Sequence, residues 1–175
     1  MIFAEKGFSK FTYRLCDLNR SSVGILTLPT YLAVPKNGWA SSVVPHRLQD
    51  RVTIQWLERD YRVEYALLSN RAMHGNDLRF LLMDGDKTLA SANVYVLKKT
   101  RWEVEVNDRR YDLVKRSGWL RMRFDLAQNE QPLGHIRDVT GFALWKRTFE
   151  IDLPAEIHGA VQVFIFFLSV NATFR

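Results

Sequence analysis

The chain has 175 residues, 47% of them apolar and 25% charged, with a net charge of +6. This length fits one large domain or two small ones, burying roughly 70% of the unfolded surface, and the composition is that of a soluble globular protein. A single cysteine, Cys16, excludes an internal disulfide.

Residues 1–10 contain no apolar run of signal-peptide length and no lipidation signal, so a reducing cytoplasm is the expected compartment. Residues 11–16 alternate apolar and polar, a polar stretch turns the chain, and 23–28 resume the alternation as a hairpin. Cys16 falls in that alternation and is expected to be packed rather than reactive. Pro29, Pro35, Asn37-Gly38 and Pro45 mark a loop-rich section.

From Val52 the alternation is sustained through Ile54 and Trp56, then Tyr61, Val63, Tyr65 and Leu67, with Glu58-Arg59-Asp60 as the turn between them. Leu78, Phe80 and Leu82 lead into Asp84-Gly85-Asp86-Lys87, a strong turn signal, and the chain returns through Leu89, Ala92 and Val94. Trp102, Val104 and Val106 alternate with Arg101, Glu103 and Glu105, turn at Asn107-Asp108, and return through Tyr111 and Leu113. Leu120, Met122 and Phe124, then Leu133 to Ile136, then Phe149, Ile151 and Leu153 complete the series. About a dozen short strands at spacings of roughly 8–12 residues indicate an all-β sandwich or barrel. The periodicity runs through both halves without a linker, which indicates a single domain over 1–175.

Three hairpins share a pattern: an alternating strand, an acidic or polar turn, and a return through Gly24, Ala90 or Gly134. Their separations, 66 and 44 residues, exclude a regular solenoid period.

The final segment is different. Nine of the eleven residues from Ala160 to Val170 are apolar, Gln162 and Ser169 being the exceptions, so no face of it suits water. It is shorter than the roughly 20 apolar residues that span a bilayer. As a helix over 154–170 it would be roughly 25 Å long, with Pro154 in its first turn and Glu156 at its positive end. The β-branched and aromatic residues leave a strand as the competing reading, and Gly159 weakens a helix by about 1 kcal/mol relative to Ala. A sheet of a dozen strands that closes on itself removes its edges but leaves a lumen too wide for wall side chains alone. An all-apolar helix is the available filler. The expected fold is thus all-β with one central helix: about twelve antiparallel strands in a closed barrel around a buried apolar C-terminal helix.

These residues carry a resemblance. The hairpins over 80–96 and 102–113, the segment Leu120-Arg-Met-Arg-Phe leading to Leu133-Gly-His-Ile136, and Phe149-Glu-Ile-Asp-Leu-Pro154 before the apolar segment resemble the tubby C-terminal-like group, closest to the LURP-one-related proteins. Phospholipid scramblases belong to the same group. The resemblance implies a twelve-stranded barrel around a C-terminal helix and, from tubby-type domains, phosphoinositide binding. The chain has neither a cysteine-rich palmitoylation stretch nor an acidic calcium-binding loop of scramblase type, which argues against scrambling.

The densest charge lies in 98–123, where nine cations face four carboxylates, net +5. Lys98, Lys99, Arg101, Arg109, Arg110, Lys115 and Arg116 fall at expected strand ends, where a barrel could gather them at its rims to hold anionic head groups. The alternative is a solvated outer face with cross-strand ion pairs. Trp102, Tyr111 and Trp119 interleave with these basics, as in single-strand nucleic-acid binding, but Trp102 and Tyr111 share an apolar strand face and no nucleic-acid motif accompanies them.

His46, His74, His135 and His158 lack metal-ligand spacing and are expected at the surface or as caps. No nucleophile elbow, P-loop or dinucleotide fingerprint occurs. No catalytic residue, metal or cofactor is expected. The anticipated function is a non-enzymatic binding module that meets an anionic phospholipid surface peripherally from the cytoplasm, without spanning the membrane. A protein-interaction domain is the alternative, and an enzyme with a pocket at a barrel mouth is the weaker one.

Overall fold

A computed structural model describes residues 1–7, 12–28, 52–71, 75–95, 100–116, 121–141 and 147–173. Twelve strands precede one helix: β1 (Ile2–Lys6), β2 (Thr12–Cys16), β3 (Ser22–Thr27), β4 (Val52–Trp56), β5 (Arg59–Arg71), β6 (Gly75–Asp84), β7 (Lys87–Val94), β8 (Arg101–Val106), β9 (Arg109–Lys115), β10 (Arg123–Gln128), β11 (Gln131–Asp138), β12 (Thr148–Asp152) and α1 (Gly159–Thr173). Each strand pairs antiparallel with its neighbours in sequence, and β1 pairs with β12, so the sheet is a closed barrel.

The strands form because apolar side chains alternate inward. In β8, Trp102, Val104 and Val106 are buried while Arg101 and Glu103 are exposed; in β4, Val52 and Ile54 are buried while Thr53 and Gln55 are exposed. The wall is thus apolar inside and charged outside, the reverse of a barrel facing lipid. No helix among the described residues is long and apolar enough to cross a membrane.

β1 is the strand that the alternation does not reveal. Ile2 and Ala4 face inward, but the outward Glu5 is also buried and Phe3 is half-buried, so its two faces differ little. Long arginines supply the cover. Arg20 stacks its guanidinium 3.9 Å from the centre of the Phe3 ring. Glu5 accepts hydrogen bonds from Arg14 at 2.9 Å and Arg20 at 3.4 Å. On the adjoining β12, Glu150 accepts two from Arg137, at 2.9 and 3.1 Å, and lies 3.0 Å from His135 Nε2. The closing seam β2-β1-β12-β11 is therefore latched outside by two carboxylates beneath arginines.

α1 fills the lumen. Every residue from Ala160 to Asn171 is buried, so the helix has no solvent face. Phe166 packs edge-on to Tyr13 of β2, with ring centres 5.3 Å apart, and also meets Phe149 of β12; Phe167 meets Phe80 of β6 at 5.5 Å. These contacts come from widely separated strands of the ring, as expected of a central helix. Each fully buried Phe contributes on the order of 1.5–3 kcal/mol. The two polar interruptions donate to backbone carbonyls: Ser169 Oγ to Ile165 O at 3.0 Å, and Gln162 Nε2 to Ile157 O at 2.8 Å and Pro154 O at 3.2 Å.

The helix begins later than its sequence indicates. Residues 154–158 form a turn-like lead-in, with Ile157 N donating to Pro154 O, and the first turn of α1 holds no acidic residue. Pro154 and Glu156 are thus outside the helix. His158 is the cap instead: Ala160 N donates to its Nδ1 at 3.3 Å.

The three similar hairpins occupy every fourth place around the ring, β2–β3, β6–β7 and β10–β11. Each is irregular at the same point, where Leu15 faces Gly24, Leu82 faces Ala90 and Leu126 faces Gly134. At Gly24 and Gly134 a Cβ would overlap the carbonyl oxygen of Gln55 or Asp152 on the next strand, which explains the small residue in the returning strand. The shared pattern therefore encodes bulged hairpins, which bend and twist the wall locally.

Candidate functional site

An up-and-down barrel has two unlike rims. At one, the turns 17–21, 57–58, 85–86, 107–108 and 129–130 meet the lead-in to α1; this is the helix-entry rim. Leu57-Glu58, Asn107-Asp108 and Asn129-Glu130 all have positive φ at both positions, the two-residue turn whose twist matches that of the flanking strands. The opposite, loop rim gathers the ends of β1, β3, β5, β7, β9 and β11 and the starts of the strands that follow them.

This geometry divides the seven basic candidates. Arg101, Lys115 and Arg116 are at the loop rim: Arg101 pairs with Val114, and Lys115 N donates to Thr100 O at 2.8 Å. Arg109 and Arg110 flank the Asn107-Asp108 turn at the helix-entry rim, facing Val106 and Glu105. The length of β8 places them about 17 Å away along the wall. Lys98 and Lys99 lie outside the described residues.

Two of the three loop-rim candidates are already engaged. Arg101 donates from Nε and Nη2 to both oxygens of Asp112, at 2.8 and 2.6 Å. That bidentate bond raises the Arg101 pKa above its usual range. Asp125 accepts from Arg116 at 3.2 Å and from Arg123 at 3.3 Å. Lys115 has no ion pair among the described residues, and neither has Arg121, an exposed neighbour in the same basic stretch. Lys6 and Arg147 are also at this rim, joined by Lys6 N donating to Arg147 O at 2.8 Å. They are remote in sequence from the basic stretch; Arg147 reaches this rim through the pairing of β12 with β11, and Lys6 joins it through the closure of β1 on β12.

Among strand-end and connecting residues with described side chains, the loop rim has seven cations, Lys6, Arg101, Lys115, Arg116, Arg121, Arg123 and Arg147, against one carboxylate, Asp138. Counted in the same way, the helix-entry rim has eight carboxylates, Asp17, Glu58, Asp84, Asp86, Asp108, Glu130, Asp152 and Glu156, against Arg20, Arg59, Lys87 and Arg109. Among these described residues the net charges are +6 and −4, and the loop rim's falls to +4 when Asp112 and Asp125, the partners of Arg101, Arg116 and Arg123, are included.

The aromatic residues beside the basics are core. Trp102 and Tyr111 are 4% and 5% exposed, so neither offers a face for stacking a base; Trp119 lies outside the described residues. Of the buried carboxylates among the described residues, Glu5 and Glu150 are paired with arginine and Asp77 accepts from Ser69 Oγ at 2.7 Å. The described His, Cys, Asp and Glu form no group able to hold a metal ion. Cys16 is wholly buried.

No family model, no curated protein and no solved structure matches this chain.

Proposed function

We propose that the chain is a non-enzymatic binding module of the tubby C-terminal-like type that seats its loop rim on an anionic phospholipid surface, peripherally and from the cytoplasm. The observation that carries this reading is the division of charge between the rims, +6 against −4 among the described strand-end and connecting residues. A basic end attracts anionic head groups at about 1 kcal/mol for each Lys or Arg near the surface, while an acidic far end is repelled, so the barrel would be oriented as well as attracted. Lys115 and Arg121 are the residues best placed for head groups, because Asp112 and Asp125 compete for Arg101, Arg116 and Arg123. The barrel around a C-terminal helix agrees with the fold that the resemblance to LURP-one-related proteins implies. A lumen packed by α1 also supports a surface site over an interior chamber.

Co-sedimentation with vesicles tests the reading. Binding to phosphatidylcholine vesicles containing phosphatidylserine or a phosphoinositide is expected at low salt, weaker at physiological salt, and absent with phosphatidylcholine alone. Lys115→Glu with Arg121→Glu is expected to weaken it at least about tenfold, while Lys87→Glu with Arg110→Glu at the opposite rim leaves it intact. Equal loss in both double variants, or no binding to any anionic vesicle, would overturn the proposal.

A second reading, protein interaction, is favoured by Leu18 and Leu57, whose side chains are 61% and 62% exposed on turns of the helix-entry rim. Unchanged hydrodynamic behaviour beside anionic vesicles, with loss of a protein contact in Leu18→Ser, would favour it.

A further inference from the structure

Where α1 enters the barrel, two cavities of about 240 and 270 Å³ share Val106, Asn107 and Glu156 and so form one cleft. Its uncharged lining combines Leu89, Val106, Val161, Ile157, Tyr61 and Tyr111 with the polar Asn107 and His158. Four formal charges line it, Arg59, Asp84, Arg109 and Glu156. They come from different supports: Arg59 follows the Leu57-Glu58 turn, Asp84 ends β6, Arg109 follows the Asn107-Asp108 turn, and Glu156 belongs to the lead-in to α1.

None of the four has an ion pair among the described residues, although charges of both signs face the same space. Elsewhere on the barrel, Glu5, Asp112, Asp125 and Glu150 each have an arginine within 3.4 Å. The four charges thus line the same cleft without an ion pair between them. A purely anionic ligand would be repelled by Asp84 and Glu156, and a purely cationic one by Arg59 and Arg109. A molecule carrying both charges satisfies both sets at once, through hydrogen bonds stronger than those between neutral groups. The apolar part of the lining then suits an uncharged side group. Taken as one cleft, the two cavities fall within the roughly 300–1,000 Å³ of small-molecule sites, room for an amino acid together with its side group.

We propose that this cleft is a binding site for a small zwitterion of the amino-acid type, its ammonium group at Glu156, which both cavities share, its anionic group at Arg109, and its apolar body against Val106, Leu89 and Val161. The site is independent of the lipid reading, because it lies at the opposite rim from Lys115 and Arg121.

Isothermal titration and ligand-observed NMR with L-phenylalanine test the site, with phenylacetate and phenethylamine as single-charge controls. Saturable binding of phenylalanine is expected, with each control at least about tenfold weaker. Glu156→Gln and Arg109→Gln are each expected to weaken phenylalanine binding at least about tenfold with an unchanged unfolding midpoint, since both side chains are exposed. Arg110→Gln, next to the cleft but not lining it, is expected to bind as the parent does. Phenylacetate or phenethylamine binding as well as phenylalanine, no saturable binding of phenylalanine, or full binding by the Glu156→Gln and Arg109→Gln variants would each overturn the proposal. Vesicle binding is read separately on the same variants and is expected to be unaffected.

Discussion

Gly159, the first residue of α1, lies against the indole of Trp56, the last residue of β4, so closely that a Cβ at Gly159 would overlap the six-membered ring. The contact fixes where the central helix enters the barrel.

Gly159→Ala is therefore expected to destabilise the protein. Ala is better than Gly in a helix by about 1 kcal/mol, but overpacking a close contact costs about 1–3 kcal/mol, so the net effect is a loss. Trp56→Leu in the same chain should recover part of it, because the overlapping ring is removed. Denaturant titration of the single and double variants checks both statements; a more stable Gly159→Ala protein would show that the helix can shift at no cost.

Leu57 has φ of 46° and an exposed side chain, in a turn position that favours Asn or Gly. Leu57→Asn is expected to stabilise the barrel by roughly 0.5–1 kcal/mol, from relief of the left-handed conformation. The midpoint of thermal unfolding measures it, and a lower midpoint would mean that Leu57 makes a contact which offsets its strain.

Glu150 titrates below the usual carboxylate range, first because Arg137 donates to it and then because of His135. A carboxyl whose folded pKa is depressed contributes stability that is present above its unfolded pKa and is lost as pH falls through the folded value. Unfolding midpoints should thus fall on acidification below about pH 4.5, and Glu150→Gln should flatten that acid limb. An unchanged acid limb in the variant would place the acid sensitivity elsewhere.

Tyr13 behaves oppositely. Burial pushes its hydroxyl up to about 12, so the neutral form is retained inside the barrel. Its folded pKa is raised, so its contribution is fully present below the unfolded value near 10 and is lost as pH rises through the interval to about 12. Tyr13→Phe is expected to be less sensitive to alkali over that interval, measured by equilibrium unfolding at successive pH values.

Much of the wall is local and hence readable from sequence. Alternation shows in Val52–Trp56, Arg101–Val106 and Thr148–Asp152 because each has one wet and one dry face, and the all-apolar run at Ala160–Val170 has only a dry environment available to it. β1 was hidden for the complementary reason. Its outward Glu5 is covered by Arg14 and Arg20 from β2 and the turn beyond, partners that the pairing of β1 with β2 supplies.

The candidate site divides along the same line. Net charge and the basic stretch are properties of the chain, but a hairpin reverses direction, so Arg101 and Arg109 are close in sequence and lie on opposite rims. Closure joins Lys6 to the rim that holds Lys115 and Arg147, and entry of α1 sets Glu156 in the same cavity lining as Arg109. Periodicity thus determined the strands and the buried helix, because hydrophobic burial depends on each residue's own face. Which charges meet was decided only in the tertiary structure, because hydrogen bonds and ion pairs depend on distances that strand pairing and register set.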